Sequence, residues 1–443
     1  MEFDDARGLA VTAACEAAVR GIDATTEAYL AFRADTGERL KEALAADPAC
    51  VYAHTLRGYF MLLFETRPFL ERAKKSLSAA EEALAATSVT PRERAHVEAL
   101  RRWTSGEWEA AAAQFDAILM EHPRDAVAFK MAQYLHFYLG DAEAMRDSAA
   151  RCLFAWDEGV PGYGYILGSY AFALEEAGAY AEAERAGRRA VEIHPHDIWA
   201  AHAVAHVMEM EGRAREGVAW IDSLDRNWDD CHNFRYHILW HRCLFHLDLG
   251  DGERALDLYD REVCDRSTEE YLDIANAASM LWRMEQNGID VGRRWEELAE
   301  RSAQHVGDRM LVFADAHYAM ALAAAGDPDP HLADLRAWAH EGSGTEARLL
   351  RECGLALIEG LVAYRRREWG RAVDLLLPIR RELRRIGGSH AQRDVFQRTL
   401  VDAAIRDGRW SLARALVAER LARKPESAWN RNAWTRVEAG IAA

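Results

Sequence analysis

The chain has 443 residues, with 55 Lys and Arg against 72 Asp and Glu, and a formal charge of -17. Only 29 Gly and 10 Pro interrupt a sequence that is 50% hydrophobic, which is too little turn chemistry for an all-β fold. The acidic balance disfavours nucleic acid and anionic membrane as partners. No uncharged run approaches the ~20 residues of a membrane span.

The opening Met-Glu-Phe-Asp-Asp carries acid where a secretory or transit peptide carries base. Seven scattered cysteines form no CxxC pair and no disulfide framework. A reduced, soluble, cytoplasmic protein is expected. Residues 1–90 show helical periodicity over 14–46 and 50–86, broken at Asp47-Pro48. They read as hairpins capping the exposed hydrophobic end of an array.

From 91 to 425 the chain repeats. Glycine-led turns recur at Gly106, Gly140, Gly178, Gly212, Gly250, Gly288 and Gly326, then at Arg367 and Gly408. The steps are 34, 38, 34, 38, 38, 38, 41 and 41 residues. A period near 34, read as helix–turn–helix, is the tetratricopeptide signature. Trp108, Ala111, Phe115 and Ile118 fall where that repeat wants aromatic, small, aromatic and apolar residues, and Pro123 stops the second helix. Tyr180, Ala183, Ala190 and Pro195 repeat the pattern, as do Trp410, Ala413 and Pro425. Residues 426–443, with Trp429, Trp434 and Val437, read as a second cap. The expected fold is all-α: a right-handed, TPR-like superhelix of helical hairpins in a single continuous domain. Extra residues of the 38-residue units are expected in loops such as 156–164.

Histidines mark one stretch of this array. Eight of 17 lie between residues 194 and 246, where about two would fall by proportion. His202, His206 and Glu209 are spaced i, i+4, i+7, within roughly 60° of one helix face. Their register turns them toward the concave groove, and the next first helix brings His237, Trp240 and His241. Tyr165 and Glu175 precede them on the same surface; Trp282 and Glu285 follow.

Three readings stay open. A His pair at i, i+4 presents two imidazoles to a divalent metal such as zinc, with His202, His206, His237 and His241 as ligands, although the HExxH order is absent. A His flanked by Glu one turn away has the parts of a general base without metal. The third reading makes these residues packing and hydrogen-bonding groups of a polar groove. No P-loop, dinucleotide fingerprint or Ser-nucleophile motif occurs, so no nucleotide cofactor is expected. Arg365-Arg366-Arg367 and Arg380-Arg381 with Arg384-Arg385 read as solvated faces paired with neighbouring carboxylates.

The segments Trp199-Ala-Ala-His-Ala-Val-Ala-His-Val-Met-Glu-Met and His237-Ile-Leu-Trp-His-Arg-Cys-Leu-Phe-His resemble the tetratricopeptide repeat protein 38 family. So do Ala255-Leu-Asp-Leu-Tyr-Asp and Asp290-Val-Gly-Arg-Arg-Trp. The resemblance covers most of the chain and implies an all-helical superhelix in which the His-bearing helices are characteristic. It implies no substrate. The leading expectation is therefore a solenoid whose concave pocket, around 165–285, binds a small organic ligand. If it is an enzyme, it is a His- or metal-dependent hydrolase or lyase. The alternative is a non-catalytic scaffold for a peptide or protein partner. Homo-oligomers are compatible with either.

Overall fold

The computed structural model describes residues 1–264 and 270–442, and within them the fold is all-α and TPR-like. Among these residues the only strands form a short antiparallel hairpin, Glu2–Asp4 with Ala10–Thr12, which the helical periodicity did not announce. The stretch before residue 90 forms the helices Glu16–Leu30, Thr36–Ala46, Val51–Leu62 and Arg67–Ala86. Asp47-Pro48 breaks the chain as expected, between the second and third of these.

The turn ladder has a backbone cause. Gly106, Gly140, Gly178, Gly212, Gly250, Gly288 and Gly408 all sit at positive φ, between 65° and 82°. Glycine reaches that left-handed conformation at no steric cost, and it closes a helix C-terminus. Arg367 occupies the same conformation at φ 63. Gly326 differs: its φ is -129, and the next helix, Asp329–Glu341, is opened by Pro328 and Pro330.

The step lengths also have a cause. After the 34-residue steps begin, the second helices run 14 residues, Trp108–Glu121 and Tyr180–Ile193. In 38-residue units they shorten to Ala142–Ala150, Ala214–Leu224 and Gly252–Leu258. A 3-10 or π turn follows each of the three. The additional residues thus lie in those turns and, in the first of these units, in the loop 157–162.

The chain packs as two compact units: Met1–Val204 with Arg226–Phe234, and Ala205–Asp225 with Arg235–Ala443. In the first, segment 226–234 is tied back to the end of the first helix. His232 N donates to Phe32 O at 3.0 Å, and Arg33 bridges Cys231. Its core includes Phe115, whose ring meets Tyr59, His96 and Trp103.

In the second unit, helix Tyr271–Gln286 packs on Val312–Ala325 and on His390–Arg406. Trp282 Nε1 donates to Thr399 Oγ1 at 2.9 Å, and Arg283 donates to the Ala391 carbonyl at 2.7 Å. Helices Trp410–Arg423 and Ala428–Ala442 end the unit, the latter burying Trp429 and Val437 against the former.

Candidate functional site

Helix Ile198–Glu211 carries the first two histidines. Pro195 ends the preceding helix, and Asp197 Oδ1 accepts from the Ala200 amide at 3.0 Å, capping the new one. Its alanine-rich turns allow close packing, and its register puts His206 and Glu209 on one face. Helix Phe234–Asp248 supplies His237, Trp240 and His241.

Within the second unit, one ring nitrogen each of His206, His237 and His241 lies within 4.8 Å of the others. The His206 and His241 rings are 4.4 Å apart between centroids, and His237 and His241 are 5.2 Å apart. All three are sealed, at 0%, 3% and 0% exposure for His206, His237 and His241. Asn276 Oδ1 accepts from His237 Nδ1 at 2.9 Å, which leaves Nε2 as the lone-pair nitrogen. Trp240 stacks on His237 at 5.4 Å, with the Arg283 guanidinium 5.3 Å from its ring centre. Burial pushes the His237 imidazole down to about 3 and His241 well below its ordinary value. Both are neutral at pH 7, the protonation state in which imidazole ligates a metal.

Glu209 is drawn elsewhere. Its Oε1 accepts from Lys424 Nζ at 2.6 Å, and Asp248 lies 3.7 Å from the same ammonium. Burial raises the Glu209 carboxyl, with Lys424 opposing. Burial lowers the Lys424 ammonium, but Glu209, Asp248 and Asp394 together hold it above its ordinary value.

The remaining expected site residues also have partners within their own units. His202, one turn before His206 on the same helix, is buried in the first unit, stacked on Phe172 at 5.4 Å and beside Trp199 and Phe234. Tyr165 stacks on His194 at 4.5 Å, and Glu175 is fully buried. Trp282 is buried against Thr399 and Tyr364, and Glu285 pairs through both oxygens with Arg365. Sequence reasoning missed Lys424, Thr399, Arg365 and Arg283. Each partner pair spans 80 residues or more of chain, a separation at which spacing carries no signal.

A second perturbed group lies in the first unit. Lys130 Nζ is 4.5 Å from the Trp199 ring centre and 5.3 and 5.4 Å from those of Phe32 and Tyr134. It donates to Ser169 Oγ at 3.2 Å, and burial pushes it down to about 8. The space beside it is about 10 Å³, room for one water and no substrate.

Chemically, three imidazoles in this arrangement, with His237 and His241 held neutral by burial, make a donor set for a zinc-type ion. They make a poor general base, because such a base must come within hydrogen-bond reach of a substrate proton. Among the described residues no helix is long and apolar enough to cross a membrane.

No family model matches the chain. It is similar to a tetratricopeptide repeat protein from Parabacteroides merdae, at 14% identity over 65% of this chain and 99% of that one, with a TM-score of 0.34. It is also similar to the human IFIT1 dimer with PPP-AAAA, at 14% identity over 89% and 91% of the two chains, with a TM-score of 0.43. A third similarity is to the APC/C hetero-tetramer Cut9–Hcn1, at 13% identity over 95% and 75%, with a TM-score of 0.43. These likenesses concern the fold alone.

Proposed function

We propose that this chain is a non-catalytic, TPR-like binding protein for a peptide or protein partner. The observation that carries this reading is the sealing of the groups an enzyme would need. His206 and His241 have no exposed surface, and Glu209 is held by Lys424. A buried, committed group cannot meet a substrate without unfolding its surroundings. The resemblance of the 199–210 and 237–246 segments to the tetratricopeptide repeat protein 38 family is compatible with this reading and attaches no activity to it. We place the protein in the cytoplasm, since the seven cysteines are all free thiols. The net charge of -17 weighs against nucleic acid as the partner.

The test is a displayed-peptide selection on the purified full chain, followed by equilibrium binding and a turnover screen. A peptide bound at roughly micromolar Kd and recovered unaltered is the expected result. Turnover of any hydrolase or lyase substrate that disappears in His206→Gln overturns the reading.

One observation favours a metal beside that role: the three ring nitrogens within 4.8 Å. In this reading His206, His237 and His241 hold one divalent ion as a structural centre. Elemental analysis then gives about one equivalent, absent from the His206→Ala/His241→Ala variant. Metal-free native protein leaves the histidines as packing groups.

A further inference from the structure

The second unit contains a cavity of about 480 Å³, bounded by helices His390–Arg406 and Trp410–Arg423 and by the turn at 380–384. That volume lies in the range of small-molecule sites, roughly 300–1,000 Å³. Met210, Leu383, Val401 and Leu416 give it apolar walls. Its charge runs against the chain: seven cationic side chains line it and only two carboxylates, in a protein of net charge -17.

Internal pairing accounts for part of this excess. Arg420 pairs through both nitrogens with Asp394 at 2.6 and 3.0 Å, and Arg380 pairs with Glu419 at 2.8 and 3.1 Å. Lys424 is balanced by Glu209. Arg393 is buried and donates to the Gly388 carbonyl. Arg381, Arg384 and Arg423 line the cavity with exposed side chains, and among the described residues they make no ion pair. Just behind, Arg398 and Arg420 lie over the Trp429 ring at 4.4 and 5.0 Å. Arg398 is 4% exposed, and its Nε and Nη2 have no hydrogen-bond partner among the described residues. Burial pushes Arg398 down to about 9, with Asp394 opposing and Arg283 and Arg420 adding to the effect. Among the described residues, Arg381, Arg384 and Arg423 thus bring three positive charges to the cavity with no carboxylate paired to them.

We propose that this cavity binds a small organic oxyanion, a phosphate- or carboxylate-bearing molecule held by Arg381, Arg384 and Arg423. Planar guanidinium forks match both oxyanions bidentately, which a lysine cluster would not do. The apolar walls suit the organic part of such a molecule. The volume fits one small molecule, whereas a polyanion needs a continuous cationic track that an acidic chain does not offer. The proposal goes beyond partner binding and does not depend on the histidine centre.

The test is isothermal titration of the full chain with inorganic pyrophosphate and, separately, with citrate, at about 0.15 M salt. The expected result is binding of at least one probe. Affinity should fall about tenfold or more in Arg381→Ala/Arg384→Ala/Arg423→Ala and in the single variant Arg423→Glu. A charge-matched control, Arg185→Ala/Arg293→Ala/Arg367→Ala, should bind as the native chain does. Preference for pyrophosphate assigns the phosphate source, and preference for citrate the carboxylate source. The proposal is overturned if neither probe binds at millimolar concentration, if the cavity variants bind normally, or if the control loses as much affinity as they do.

Discussion

His317, on helix Val312–Ala325, is 1% exposed, donates from Nδ1 to the Phe313 carbonyl at 2.7 Å and packs between Phe313 and Phe396. Burial pushes its imidazole down to about 3. The unfolded chain takes up a proton below about 6.5 while the folded chain does not, so stability is complete above that value and lost as the pH falls. The slope is about 1.4 kcal/mol per pH unit. Between pH 7 and pH 5, His317→Gln should lose about 2 kcal/mol less stability than the native chain, read by urea unfolding at each pH. Identical losses would refute the assignment. Asp197 shows the opposite sign. Burial raises it to about 7, so its folded form keeps a proton that the unfolded form releases, and stability falls as the pH rises from about 4 to 7.

Each hairpin depends on the turn that precedes its second helix. Seven glycines of the ladder hold that turn at positive φ, and Arg367 holds it without being glycine. A residue with a Cβ in this conformation costs about 1 kcal/mol relative to glycine. Arg367 is exposed, so its side chain contributes little packing to set against that cost. Arg367→Gly should therefore stabilise the chain by about 1 kcal/mol, measured as a higher denaturation midpoint at unchanged m-value. A destabilised variant would mean that the guanidinium makes a contact worth more than the backbone strain. This ladder was the most legible feature of the sequence, because a glycine at a fixed step is a local backbone requirement.

The second unit is closed by contacts between distant parts of its chain. Lys424 meets Glu209 across 215 residues, and Ser427 Oγ donates to Asp248 at 3.0 Å across 179. Lys424→Met leaves the Glu209 carboxylate buried beside like charge, which should cost roughly 3–5 kcal/mol. The pair variant Lys424→Met/Glu209→Gln should recover most of that loss in a double-mutant cycle. Additive losses would show that the two side chains do not act as a pair.

The sequence by itself determined the elements: the helices, the glycine turns that join them, and the face shared by His206 and Glu209. All of these follow from interactions within a few residues, where the helical repeat fixes which side chains are neighbours. Tertiary structure decided the partners. Three histidines were readable as neighbours on adjacent first helices, yet Glu209 left them for Lys424, and Trp282 and Glu285 met Thr399 and Arg365 instead of an open groove. The arginine runs divided in the same way. Arg365, Arg366, Arg380 and Arg385 found carboxylates, as solvated faces should, while Arg381 and Arg384 were turned to the cavity. Spacing along one helix names the face a side chain occupies, but a charge is neutralised by whichever group the folded chain brings within a few ångströms.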